Sequence, residues 1–75
     1  MTGICNMIQA FCTGQYLQYA DVPDCVNLLA SKPVNAFPMF FSDTITCRAN
    51  HLPMTTVDPA LHCPHVGPTG GGACV

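Results

Sequence analysis

Asp58-Pro59-Ala60-Leu61-His62-Cys63-Pro64-His65-Val66-Gly67-Pro68-Thr69-Gly70-Gly71-Gly72-Ala73-Cys74 is a stretch that cannot hold itself. Asp58 can cap a helix and Pro59 fits a first turn, so a short helical turn is expected through Leu61 or His62. Beyond Cys63-Pro64-His65 the run from Gly67 to Gly72 has too much backbone freedom for regular structure. Cys63 and Cys74 must tie this third of the chain to the remainder, so the fold is decided by cross-links.

Working outward, Cys5, Cys12, Cys25 and Cys47 complete a set of six cysteines in 75 residues. An even set in so short a chain reads as three disulfides made in an oxidising compartment, the extracellular space or an organelle lumen. Small domains bury only about 60% of the surface that their unfolded chain exposes, which leaves the hydrophobic term marginal. Covalent staples supply the difference. Each removes roughly 3 kcal/mol of denatured-state freedom for a loop of about 15 residues.

Three helices are legible upstream. Ile4, Met7, Ile8, Phe11 and Cys12 recur at the spacing of one helical face, with Thr2 as cap and Gly14 as stop. Cys5 and Cys12 then lie two turns apart, about 10 Å, and cannot bridge each other. Asp21-Val22-Pro23-Asp24 starts a second helix through Cys25, Val26, Leu29 and Ala30, which Ser31-Lys32-Pro33 ends. Ser42 or Asp43 caps a third, carrying Ile45, Cys47, Arg48, His51 and Leu52 up to Pro53. Residues 33–41 read as an extended loop or short strand. The expected fold is a single disulfide-stapled module over residues 1–75, mainly α, with about three short helices and a loop-rich C-terminal third. We expect Cys12 to pair with Cys25, Cys5 with Cys47 and Cys63 with Cys74.

Charge narrows the function. Lys32 and Arg48 face Asp21, Asp24, Asp43 and Asp58, a formal charge of −2. Nucleic acid is not an expected partner, because phosphate binding needs many cations. The charged fraction is 8% against about 25% in ordinary soluble domains. Such a surface is expected to be covered, either by other protein subunits or by further copies in a homo-oligomer, or to belong to a fragment of a larger chain. Phe37-Pro38-Met39-Phe40-Phe41 concentrates three aromatics and a methionine, the side chains that interfaces favour, and Tyr16 and Tyr19 are expected on the same surface. No apolar run approaches the roughly 20 residues of a membrane helix. Met1-Thr2-Gly3-Ile4-Cys5 lacks the basic start and apolar core of a signal peptide, so any targeting segment is expected outside this sequence or already removed.

All three histidines, His51, His62 and His65, fall within fifteen positions, beside Cys47 and Cys63. Brought together they make a copper or zinc site with one open coordination position. Against convergence stand the intervening cysteine and proline, which can aim His62 and His65 apart. In a reducing compartment Cys47, His51, His62 and Cys63 would instead offer a tetrahedral zinc set. Catalysis is not expected. Cys63 beside His62 and His65 has the residue types of a thiol nucleophile, yet an even cysteine set leaves no thiol over. The glycine run lacks the lysine, strand and helix of a phosphate loop. It is read as backbone lying close against another surface, and Arg48 as a partner of Asp43 or Asp58.

The segment Asp43-Thr44-Ile45-Thr46-Cys47-Arg48-Ala49-Asn50-His51-Leu52, followed by residues 58–74, resembles a small cysteine-rich module of secreted or lumenal proteins from algae, other protists and some bacteria. The resemblance covers residues 43–74, more loosely 19–25. It implies an exported module whose histidines and last cysteines form a Cys-Arg-x-x-His … His-Cys-Pro-His-x-Gly-Pro-x-Gly-Gly-Gly-x-Cys signature, and it implies no activity. The functional expectation is therefore a non-catalytic structural or accessory subunit of an extracytoplasmic assembly, with copper or zinc binding as the alternative.

Overall fold

A computed structural model describes residues 2–34 and 41–75. Among them lie four α-helices and no strand: α1 (Thr2–Phe11), α2 (Val22–Leu29), α3 (Ile45–His51) and α4 (Pro59–Val66). Short 3-10 turns at Gly14–Tyr16, Leu52–Thr56 and Gly70–Gly72 connect or follow them. The three expected helices are present. The Asp58-Pro59 turn is longer than expected, running on through Pro64 to Val66. Proline forfeits one backbone hydrogen bond inside a helix, and here the bonds on either side persist from His62 N–H to Asp58 and Gly67 N–H to Pro64.

Local chemistry accounts for the helix starts. Asp21 caps α2 by accepting from Asp24 N–H at 2.8 Å. Neither Ser42 nor Asp43 caps α3; that role falls to Thr44, whose hydroxyl accepts from Cys47 N–H at 3.0 Å. Ser42 has a φ of 105°, far from the extended backbone a cap requires. Asp43 is engaged by both cations of the chain, Lys32 and Arg48, each at 2.8 Å. The hydrogen bond from Lys32, then that from Arg48, holds the Asp43 carboxyl below its ordinary range.

The core is narrow and rich in sulfur: Cys5 and Ile8 of α1 and Cys12 just after it, Tyr19, Cys25 and Leu29, Leu52, and Cys63 and Val66 of α4. All six cysteines are oxidised, but in a pairing different from the expected one: Cys5–Cys25, Cys12–Cys63 and Cys47–Cys74. The expected Cys12–Cys25 bond presumed a tight hairpin. Instead the chain after Gly14–Tyr16 doubles back along α1, where Gln9 donates to the Tyr19 carbonyl at 3.1 Å, and α2 starts beside Cys5. The expected Cys63–Cys74 closure fails because the glycine turn carries Cys74 across to α3.

That turn does lie close against another surface. Gly71 has a φ of 56°, and a Cβ there would stand 2.6 Å from the Pro64 carbonyl carbon. Tyr19 corrects a further expectation. It is 2% exposed and donates its hydroxyl to the Val66 carbonyl at 2.8 Å, so it is a core residue with no surface to offer a partner. Burial raises its pKa to about 12, against the lowering influence of Arg48.

Candidate functional site

Two features stand out: an imidazole cluster and an apolar groove. His51 is the last residue of α3, while His62 and His65, three positions apart, share one face of α4. Packing of α3 on α4 brings all three rings together, with centroids 5.7 Å apart for His51 and His62, 4.7 Å for His51 and His65, and 5.4 Å for His62 and His65. One ring nitrogen of each lies within 4.8 Å of the others. His51 is buried and the other two half-buried. The expectation that cysteine and proline aim His62 and His65 apart does not hold, because α4 continues through both.

Arg48 and Tyr19 fix α4 from outside. A helix ends with carbonyls that have no partner within the helix. At the end of α4 the Tyr19 hydroxyl donates to Val66, and Arg48 Nε donates to Gly67 at 2.9 Å. Arg48 Nη2 reaches Pro68 at 3.2 Å and Asp43 at 2.8 Å, while Nη1 donates to Thr44 at 2.9 Å. This guanidinium is fully buried. It lies where a cation also complements the helix dipole.

Burial lowers the His65 pKa from its ordinary 6.5, and the neighbouring His51 and His62 add to the effect. The unfolded chain then binds more protons than the folded one as pH falls below 6.5. The stabilisation is complete above that value and is lost as pH drops through the depressed folded value. The midpoint of urea unfolding of metal-free protein should be lower at pH 5 than at pH 7.5. Equal midpoints would show that His65 titrates alike in both states.

Other candidate chemistries fall to the cross-links. Cys47 and Cys63 are disulfide-bonded and 0% exposed, so the mixed thiolate zinc set and the Cys63 nucleophile have no thiol. Of the expected partner surface, Phe37, Met39 and Phe40 lie outside the described residues, Phe41 is 71% exposed and Tyr16 is partly buried against the core.

The sequence reading missed the groove. Ile4, Met7 and Phe11 of α1 face Ala49 of α3 and Leu52, Pro53 and Thr56 of the following turn across an opening of about 490 Å³. Met7 and Phe11 keep 43% and 41% of their surface. A signal existed, because α1 has two adjacent apolar stripes. Cys5, Ile8 and Cys12 fill the core, and Ile4, Met7 and Phe11 lie beside them.

The family model for the BfoA family C-terminal domain matches residues 1–75. The chain is 43% identical over 75 residues to Aurasperone B biosynthesis cluster protein A of Aspergillus niger, and 41% to Bifonsecin B biosynthesis cluster protein A of Aspergillus brasiliensis. Each alignment covers 99% of this chain and 25% of the relative, so the chain spans about a quarter of the length of these curated proteins. No solved structure matches it.

Proposed function

We propose a role for a chain that belongs to the BfoA family, as its C-terminal domain: a non-catalytic accessory module of an exported protein, packed against a neighbouring protein surface through the α1 groove. The groove is the observation that carries this reading. Six of its seven lining residues are apolar, and the half-open methionine and phenylalanine at its mouth are of the types enriched where proteins meet. A protein occupant is favoured because the similar Aspergillus proteins carry about three quarters of their length outside the matched stretch, which leaves ample polypeptide to cover the face. Their names supply the setting we propose, an accessory part of a biosynthesis-cluster protein.

Three disulfides support an oxidising compartment. No helix among the described residues is long and apolar enough to cross a membrane. Oxidation of Met7 by peroxide tests the packing, since sulfoxide formation follows exposure of the thioether. Met7 should oxidise several-fold more slowly in the intact parent protein than in the isolated 75-residue chain, and Phe11→Glu in the parent should remove that difference. Equal rates in the two wild-type proteins would rule the groove out as the covered face.

A further inference from the structure

We propose that His51, His62 and His65 form a mononuclear site for a late first-row divalent metal ion, Cu(II) or Zn(II), with a solvent or exogenous donor completing the coordination. This goes beyond the docking role and uses different side chains. Three observations carry it.

The first is convergence. A tetrahedral site with metal–nitrogen bonds of about 2.0–2.1 Å sets its nitrogens roughly 3.3 Å apart. The three ring nitrogens here already lie within 4.8 Å of one another, so small ring rotations complete the set. His62 and His65 are each half-buried, so the cluster is not sealed within the core.

The second is unmet bonding capacity. The Nδ1 atoms of His62 and His65 are buried with no hydrogen-bond partner. Buried polar atoms are nearly always satisfied, and an exception calls for a reason such as a bound ion. Ligation of imidazole nitrogen is one way to meet it.

The third is rigidity with the right donors. Cys63, between the two α4 ligands, is bonded to Cys12, and Cys47, one turn before His51, is bonded to Cys74. Arg48 ties the far end of α4 to the start of α3. Ligands held in this way need little reordering to bind. Among the described residues no carboxylate joins the cluster. All-imidazole donors favour copper and zinc over calcium or magnesium, and the Irving–Williams order ranks copper above zinc.

The test is titration of the disulfide-intact chain with Cu(II) and, separately, Zn(II), read by calorimetry, by copper electron paramagnetic resonance and by imidazole NMR shifts on adding Zn(II). We expect one ion per chain, tighter for Cu(II), with imidazole nitrogen couplings to copper and zinc-induced shifts at all three histidines. His51→Ala, His62→Ala and His65→Ala should each weaken binding by more than about 100-fold, the upper end of what outer-shell changes cost. Wild-type NMR keeps the test decisive even if a variant misfolds. Absence of saturable binding, zinc shifts that spare any of the three rings, or copper affinity that survives the substitutions would each overturn the site. The last outcome would identify capture by backbone nitrogens.

Discussion

Replacing Cys12 and Cys63 together by alanine should lower the unfolding free energy by about 4 kcal/mol, the largest loss from removing any one of the three bonds. The size follows from the chain closed. In the chain-entropy model the cost rises with the logarithm of loop length, giving about 4 kcal/mol for the 51-residue separation of this pair and roughly 3 kcal/mol for the 20 residues between Cys5 and Cys25. The bond also joins the residue that follows α1 to α4 within the core. Urea titrations of the two double variants give the comparison directly, and a smaller loss for Cys12 and Cys63 than for Cys5 and Cys25 would contradict the loop argument.

Arg48→Met should cost about 3–5 kcal/mol, because it removes three hydrogen bonds from a buried charged donor to backbone carbonyls, each contributing upwards of about 1 kcal/mol. Methionine fills much of the volume but donates nothing, so the carbonyls of Thr44, Gly67 and Pro68 lose their guanidinium donor at once, and Thr44 and Gly67 keep only the backbone N–H groups of residues 48 and 70. Arg48→Lys should recover only part of the loss, because one ammonium cannot reproduce a planar fork that serves four acceptors. Asp43 is 45% exposed at its side chain and keeps Lys32. It contributes little to the loss, and its carboxyl pKa should move back towards the ordinary value. A loss below about 1 kcal/mol by chemical denaturation would mean that water reaches these carbonyls.

What the sequence revealed divides along the distance over which each interaction acts. Helices α1 and α2 were legible because Asp21, Pro23 and the spacing of Ile4, Ile8 and Cys12 act within a few residues. The start of α3 was misread by one or two positions, since Ser42, Asp43 and Thr44 are all capping types. Only the pull of Lys32 and Arg48 on Asp43 and the φ of Ser42 decide among them. The length of α4 was hidden because its last carbonyls are satisfied by Tyr19 and Arg48, the former 47 residues away.

The histidine cluster was legible in composition and not in geometry. His62 and His65 share a face only if the helix continues through Pro64, and that depends on the same remote donors. Disulfide pairing was not legible at all. Nothing local announces that residues 13–21 double back along α1 and bring Cys25 to Cys5.

The three bonds also have a collective property. The spans 5–25, 12–63 and 47–74 overlap end to end, so every peptide bond from Cys5 to Cys74 lies inside at least one covalent ring. A protease that nicks this domain once anywhere along that length adds a molecule of water and liberates nothing. Damage that would sever an uncrosslinked module leaves this one in a single piece, a lasting advantage where peptidases are met without any machinery for resynthesis.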